Sequence, residues 1–266
     1  MSIKLKKDFY CGLYDIIFRS MFLKNKDMTA FVCNELIPEE NIKPEDIEYV
    51  NGSILDGINF KTITTDVRFQ IISNNLYGDI EMQKNPIENF TYRIDLYTSK
   101  IMTEISDPDN DYKVKKVIVI SFCDFKVLNN QKAITIIQPV DIEDINGYKY
   151  YWRKNIYIQL PYMEKCDKIK LAKFIEILKS DEPDSLRGAD PFMNKVIDEI
   201  KMLNQDENTR AIIDILEKKQ KDENTRLNTA INKAKAEVAK KLKENNVSID
   251  IIISSTGLSK EEIEKL

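Results

Sequence analysis

The amino-acid sequence predicts a mixed α/β fold with a C-terminal helical extension. Three observations support this class. Apolar residues recur every third or fourth position near the N-terminus, strand-like alternation and one long β-branched run occupy the middle, and charged helical sequence follows Asp167. The chain has 266 residues and 42% of them are hydrophobic, so it can bury one sizeable core and carry an appendage.

The first half of the chain alternates between predicted helices and strands. Hydrophobic spacing predicts, in chain order, a helix over 8–37, strands over 47–50 and 60–73, a hairpin turn at SNNLYG, and a return strand over 76–84. Pro86 suits the first turn of a helix, where no backbone N–H is needed, and an apolar stripe continues from there to about Ile105. We therefore expect a helix between the return strand and the strand that follows.

The second half of the chain begins with the segment VKKVIVISFCDF, a continuous β-branched run that predicts a central strand buried on both faces. Further elements are expected as strands at AITIIQPV and NIYIQLPYM, and as helices over 167–179, 190–203 and, in one or two long charged helices, 206–245. These assignments predict a core over 1–165 and a helical region over 166–266.

The last residues, SIDIIISSTGLSKEEIEKL, predict two short helices. Gly257 suits the left-handed residue that ends a helix, Ser259 suits an N-cap, and Glu262 stands at the capping-box position. This tail fits half of a helix-turn-helix motif, and it equally fits a protein-docking or dimerising element.

The composition excludes several classes of enzyme. The chain has no histidine, which rules out Ser-His-Asp triads, Cys-His nucleophiles and HExxH zinc sites. Its four cysteines form no CxxC pair, and neither GxxxxGK[ST] nor GxGxxG occurs. Carboxylates must therefore supply any acid-base or metal chemistry. The net charge of −4 means that binding to nucleic acid would need a local basic patch.

The sequence also bears on the compartment. It has no run of 18 apolar residues, and its first residues, MSIKLKKDFY, contain no apolar signal segment. We therefore expect a cytoplasmic protein that does not bind membranes.

The segment YGDIEMQ is the strongest candidate for a functional site, because it sets Asp79, Glu81 and Gln83 at alternate positions of a predicted strand. A two-residue turn at Asn74 and Asn75 would pair Asp66 with Gln83 and Arg68 with Glu81. Asp66 and Glu81 would then be diagonal neighbours about 5–8 Å apart, close enough to share a divalent cation. The alternative is an ordinary solvent-facing strand face on which Arg68 forms an ion pair with Glu81.

A resemblance to a known family adds to this interpretation. The segments YDIIFRSMF, TTDVRFQI, GDIEMQ, FTYRIDLYTSKI and VIVISFCDF, together with the tail IISSTGLSKEEIEKL, resemble the PD-(D/E)XK nuclease family transposases, which are also called recombination-promoting nucleases. The resemblance covers nearly the whole chain. It implies a restriction-endonuclease-like core, in which helices flank a mixed sheet.

The resemblance also implies roles for individual residues. Asp66 and Glu81 would bind the metal, and Asp15, which matches the acid at the start of the family's first helix, would be a further metal ligand. Gln83 stands where the wider superfamily has a catalytic lysine. Two departures weaken a match to the superfamily as a whole. Thr64 and Thr65 stand before Asp66 instead of the proline that names the motif, and Gln83 carries no charge.

Two basic residues complete the predicted site. Gln83 cannot lend positive charge to the transition state, so we expect either a slow enzyme or one that needs a second metal or a basic partner. Lys84 and Arg93 are the candidates to bind the substrate phosphate as that partner. Each also has a structural interpretation. Lys84 suits a solvated strand end, and Arg93 would pair with an acid such as Glu88, Asp95 or Asp107.

The sequence therefore predicts a Mg²⁺-dependent DNA endonuclease associated with mobile elements or recombination, with Mn²⁺ as a substitute metal. We expect DNA as the partner and a homo-oligomer through the C-terminal helices. The alternative is a catalytically inactive nucleic-acid-binding or oligomerisation protein on the same scaffold.

Overall fold

The computed structural model describes residues 8–50, 67–106, 115–145 and 152–266. The chain divides into two compact units, residues 1–209 and residues 210–266. The first unit contains the sheet and the helices that cover it. The second unit is helical. Among the described residues, no helix is both long and apolar enough to cross a membrane.

The described residues form eight α-helices and six strands. The helices are α1 (Asp15–Lys24), α2 (Lys26–Leu36), α3 (Phe90–Ile105), α4 (Ile169–Lys179), α5 (Pro191–Gln205), α6 (Glu207–Glu244), α7 (Ile249–Thr256) and α8 (Lys260–Glu264). The strands are β1 (Ile47–Tyr49), β2 (Val67–Ile71), β3 (Leu76–Gln83), β4 (Lys116–Cys123), β5 (Ile134–Ile137) and β6 (Arg153–Gln159).

The six strands form one mixed sheet in the order β1-β2-β3-β4-β6-β5. The first three strands are antiparallel neighbours, β3, β4 and β6 run parallel, and β5 returns antiparallel to β6. A parallel pair needs a crossover connection, and α3 provides it between β3 and β4. The predicted fold, a mixed sheet flanked by helices with a helical C-terminal region, is confirmed.

The two faces of the central strands pack against different helices because side chains alternate along a strand. On one face, the Phe122 ring centre lies 5.2 Å from that of Phe18 in α1, and Phe22 in turn lies 6.2 Å from Phe174 in α4. On the other face, α3 covers the sheet, with these buried residues in one cluster: Phe90, Ile94, Ile101, Val117, Val119, Cys123 and Tyr157. The predicted central strand is therefore buried on both faces, as its composition indicated.

Two predicted helices differ from the observed ones. The helix expected over 8–37 is interrupted at Asn25, whose extended backbone separates α1 from α2 and whose side chain donates a hydrogen bond to the Met21 carbonyl. The helix expected from Pro86 begins at Phe90 instead, because Asn89 adopts a left-handed conformation with φ of 56° immediately before it. Residues 60–66 of the expected strand lie outside the described part of the chain.

The register of the hairpin also differs from the prediction. The turn contains four residues, Ile72 to Asn75, so Ile71 pairs with Leu76 and Arg68 pairs with Asp79. Two overlapping turn hydrogen bonds form this loop, from Asn74 N–H to the Ile71 carbonyl and from Asn75 N–H to the Ile72 carbonyl. The predicted pairing of Arg68 with Glu81 is therefore wrong. The shift is two residues, so each side chain keeps its predicted face of the sheet.

The C-terminal unit has a small core of its own. Ala239 of α6, Ile252 of α7 and Ile263 of α8 are buried together. Gly257 ends α7 with φ of 70°, and Ser259 and Glu262 form the complete capping box of α8, as predicted. The domain boundary expected near residue 165 stays a prediction, while the division by contacts in the structure falls at residue 209.

Gly78 gives a direct test of the packing between β2 and β3. A methyl group at this position would lie 2.0 Å from the Phe69 ring, which is buried against the sheet, so we expect Gly78→Ala to lower the free energy of unfolding by about 1–3 kcal/mol. Urea unfolding measures the change. Gly188→Ala is the matched control, because no atom lies within 4 Å of the added methyl group, and we expect a change within about 0.5 kcal/mol. Equal effects of the two substitutions would contradict this packing.

Candidate functional site

Two carboxylates of β3 are buried against the sheet. Asp79 is 1% exposed and Glu81 is 5% exposed, and both face the side of the sheet that α3 covers. A buried carboxylate costs free energy unless hydrogen bonds or positive charges compensate for the lost hydration. The predicted solvent-facing strand face is therefore not observed for these two residues, and each must be explained by the groups around it.

Glu81 faces Ser121, its partner in the parallel pairing of β3 and β4. The Ser121 hydroxyl, itself fully buried, donates a hydrogen bond of 2.9 Å to Glu81 Oε1. Burial raises the pKa of the Cys123 thiol, and the nearby Glu81 charge raises it further. The same charge contributes to the raised pKa of Tyr157, after burial and the charges of Asp95 and Cys123. Glu81 thus lies near Cys123 of β4 and Tyr157 of β6, on the face of the sheet that α3 covers.

Asp79 has a different environment, because it faces Arg68 across the hairpin. The Arg68 guanidinium lies 3.8 Å from Asp79 and 3.7 Å from Glu104 of α3, and 5.5 Å from the centre of the Tyr97 ring. This one cation therefore connects β2, β3 and α3. The predicted alternative, an ion pair between Arg68 and Glu81, is not observed; Arg68 lies near Asp79 and Glu104 instead.

A second polar network joins α3 to β6. Asp95 forms an ion pair with Arg153 and accepts a hydrogen bond of 2.8 Å from the Asn155 amide, and the Thr98 hydroxyl lies 2.7 Å from the Asn155 amide oxygen. Asp95 is thus a partner of Arg153, and the predicted alternative pairing of Arg93 with Asp95 is not observed. These contacts fix α3 over the face that carries Glu81.

The end of β3 brings three predicted residues near one another. The half-buried Gln83 side chain donates a hydrogen bond of 3.0 Å to the Asn85 carbonyl. The exposed Lys84 ammonium lies 5.0 Å from the Tyr14 ring centre. Burial raises the pKa of the adjacent Asp15, and the positive charge of Lys84 and a backbone hydrogen bond partly offset that rise. Asp15, Gln83 and Lys84 therefore occupy the same end of the sheet.

Arg93 lies in the first turn of α3 and is exposed. Within the described ranges, no carboxylate lies within 4.0 Å of its guanidinium, and Asp107, one of its predicted partners, lies outside those ranges. The side chain is thus accessible to a ligand from solvent.

The predicted metal site is only partly within the described residues. A buried carboxylate such as Glu81 is the kind of oxygen ligand that Mg²⁺ prefers, so this residue fits the expected cation. Asp66, the predicted second ligand, lies outside the described residues, as do its predicted pairing with Gln83 and its distance from Glu81. In the part of the chain that is described, no three Cys, Asp or Glu side chains group as a metal site.

Sequence reasoning missed Ser121 as a contributor to this site. Its signal is a single hydroxyl in the otherwise apolar run VIVISF, a position where a strand buried on both faces must satisfy any polar group. The same signal marks Asn155 and Gln159 in NIYIQL. An isolated polar residue in an otherwise apolar strand therefore indicates a buried polar contact, and with it a candidate site residue.

Comparison with known proteins identifies one family. A family model described as PD-(D/E)XK nuclease family transposase matches residues 13–230, a span that contains every strand of the sheet and α1 to α5. No curated protein and no solved structure matches the chain.

Asp15 should give the protein a pH-dependent stability. Its folded pKa is raised above the ordinary value of 3.8, so the folded state binds more protons than the unfolded state as pH rises from that value, and stability falls through this window. We expect Asp15→Asn to unfold at a higher temperature than the wild type at pH 7, and the difference to shrink below about pH 4. Glu88→Gln, at an exposed residue before α3, is the control. A lower melting temperature for Asp15→Asn at pH 7 would refute this.

Ser121 should stabilise the fold through Glu81. Removing a donor to a buried charged acceptor typically costs about 1–3 kcal/mol, so we expect Ser121→Ala to lower the free energy of unfolding by that amount. In a Glu81→Ala background the same substitution should cost much less, because the acceptor is gone. Urea unfolding of the four proteins measures both values. An equal cost in the two backgrounds would mean that Ser121 acts independently of Glu81.

Proposed function

Because the chain belongs to the PD-(D/E)XK nuclease family transposases, we propose that it is a metal-dependent DNA endonuclease that acts in recombination or on mobile elements. The family gives the chain a nuclease-related function. The proposal adds the metal, the substrate and the residues that carry the reaction.

The observation that supports this proposal best is the position of Glu81. Its carboxylate is buried near the C-terminal end of a central parallel strand, and Ser121 donates to one of its two oxygens. Ligands of open α/β sheets bind outside the C-terminal ends of parallel strands. A buried carboxylate at this position is a candidate functional group.

Glu81 and Asp66 are the proposed ligands of a Mg²⁺ ion, with Asp15 as a further acid at the same end of the sheet. A bound divalent cation would lower the pKa of a coordinated water and polarise a phosphate oxygen. Mg²⁺ prefers charged oxygen ligands, so carboxylates are the side chains best suited to bind such an ion.

The neighbouring residues have proposed roles that follow from their chemistry. The Gln83 amide would orient the attacking water by hydrogen bonding, but it can neither accept a full proton at neutral pH nor supply charge. Lys84 and Arg93, both exposed, would therefore neutralise the substrate phosphate. When water attacks phosphorus and the bond to the leaving oxygen breaks, their positive charges would stabilise the phosphate oxygens.

A second candidate function is a binding or self-associating protein without catalysis. It is favoured by the uncharged Gln83 and by α6, where Leu227, Ile231 and Val238 are 59%, 42% and 49% exposed at spacings that place them on one side of the helix. We include homo-oligomerisation through the C-terminal helices in the proposal, whether or not the protein cleaves DNA. Light scattering of the purified chain measures its oligomeric state.

Replacing Glu81 tests the endonuclease directly. We expect Mg²⁺ to stabilise the wild type by about 2.7 kcal/mol at a hundredfold excess over its dissociation constant, and the protein to nick plasmid DNA. Glu81→Gln should lose both properties, because it keeps the shape of the side chain and removes the ligand charge. Asp66→Asn should behave in the same way. Thermal melts with and without Mg²⁺, together with plasmid nicking, measure these effects.

Asp79→Asn is the matched control from the same strand. It weakens the ion pair with Arg68, so it should lower the melting temperature and leave the response to Mg²⁺ in place. A wild-type protein that neither responds to Mg²⁺ or Mn²⁺ nor nicks plasmid DNA would overturn the endonuclease and favour the second candidate.

A further inference from the structure

A second set of basic residues lies at the C-terminal ends of the parallel strands, the end of the sheet at which Glu81 lies. The strands β3, β4 and β6 end in one row, in which Gln83 pairs with Cys123 and Cys123 pairs with Gln159. The chain that follows β4 carries Lys126, and the chain that follows β6 carries Tyr162 and Lys165. Neighbouring strands are about 4.8 Å apart, so β6 lies about 10 Å from β3 along this edge.

These residues form a cluster around one aromatic ring. The ammonium groups of Lys126 and Lys165 lie 5.6 Å and 5.4 Å from the centre of the Tyr162 ring. The negative face of an aromatic ring attracts cations, so Tyr162 holds both lysines beside it. We call Lys126, Tyr162 and Lys165 the lysine–tyrosine cluster.

The positive charge of the cluster is available to a ligand. Asp124 and Glu164 are close in sequence, yet across the described residues neither Lys126 nor Lys165 has a carboxylate within 4.0 Å. Lys165 has a weak neutral contact instead, 3.5 Å from the Gln131 amide oxygen. An exposed pair of cations without acidic partners is an electrostatic site for an anion.

The loop that carries Lys126 is held in a fixed shape. The Gln159 side chain, which is fully buried, accepts hydrogen bonds from the backbone N–H groups of Val127 and Leu128, at 2.8 and 2.9 Å. Its amide nitrogen donates to the Lys132 carbonyl at 2.8 Å and to the Asn130 side chain at 3.2 Å. A binding group on a preorganised support loses little entropy when its ligand arrives.

We propose that the lysine–tyrosine cluster is a binding site for the phosphate backbone of duplex DNA, which positions the strand that enters the Glu81 site. This inference rests on the proposed function and extends it by assigning new substrate-binding residues. Phosphate is the component of DNA that fits, because the cluster offers two cations and a ring that those cations already approach. The spacing of about 10 Å between β3 and β6 corresponds to a few nucleotides along one DNA strand. The phosphate that contacts the cluster would therefore flank the one that is cleaved.

Salt-dependent DNA binding tests the proposal. Fluorescence anisotropy with a labelled duplex in EDTA separates binding from cleavage. Each lysine that contacts a phosphate contributes about 0.9 to the slope of log K against log salt, so Lys126→Ala and Lys165→Ala should each reduce that slope by about one and weaken binding about five- to tenfold at 0.1 M salt. Lys126→Arg and Lys165→Arg keep the charge and should retain the wild-type slope.

Three further variants distinguish a contact at the lysine–tyrosine cluster from the effect of positive charge elsewhere on the protein. Lys43→Ala removes one exposed positive charge from the chain before β1, at the opposite edge of the sheet, and should leave binding unchanged. Tyr162→Phe keeps the ring that orients the lysines and should bind as the wild type does, whereas Tyr162→Leu should bind more weakly.

The results distinguish a failure of the phosphate-site proposal from a failure of the proposed endonuclease function. If the wild type binds the duplex and both lysine variants match Lys43→Ala in affinity and slope, the cluster is not a phosphate site and the proposed function stands. If the wild type does not bind the duplex, both the proposed function and this site are overturned. Since Lys126 and Lys165 are exposed, melting temperatures close to the wild type should accompany each substitution.

Discussion

The parallel alignment of β3, β4 and β6 is the constraint on which the rest of the first unit depends. Eight consecutive residue pairs join β3 to β4, and seven join β4 to β6, so the three strands end in one row. This row places Lys84, the loop after β4 and the turn after β6 at the same end of the sheet. It also places Glu81 beside Ser121. Without that alignment, Glu81 and the basic residues that follow β4 and β6 would not lie at the same end of the sheet.

The polar face under α3 departs from ordinary core packing. Glu81, Asp79, Ser121, Asn155 and Thr98 are all buried there, where apolar side chains would pack at lower cost. Arg68 and Arg153 supply charge at the sides of this layer. Between them, Ser121 donates a hydrogen bond to Glu81, and the Asn155 amide joins Asp95 to Thr98. α3 is therefore fixed to the sheet by directional contacts as well as by its apolar stripe. Such contacts specify one orientation of the helix, which hydrophobic burial alone does not.

Much of the fold was predictable because hydrophobic period is a local property. The buried run of β4, the β3 strand with its alternating acids, and the Gly257 and Ser259 caps all follow from a few adjacent residues. The register of the hairpin was not predictable in this way, since Asn74 and Asn75 suit a two-residue and a four-residue turn equally well. The start of α3 was also not predictable, because Pro86 suits the first turn of a helix, whereas the observed helix begins after Asn89 in a left-handed conformation.

For the site, strand alternation and the hairpin pointed to Asp66, Glu81 and Gln83, and the family resemblance added Asp15 and Arg93. Ser121 and the lysine–tyrosine cluster could not be found from spacing, because their neighbours come from strands far apart in sequence. Lys126 and Tyr162 are brought together only when β4 and β6 pair. Contacts of that kind depend on tertiary structure, which a local pattern does not contain.

The hydrogen bonds of Gln159 have a consequence for how this family varies. One side chain bonds to residues at both ends of the segment from Val127 to Lys132, so an inserted or deleted residue within that segment would break at least one of these bonds. Among related chains, a glutamine at this position and a loop of this length should therefore be inherited together. Chains that lack the glutamine are free to change the length of the loop, and with it the reach of whatever basic residue the loop carries.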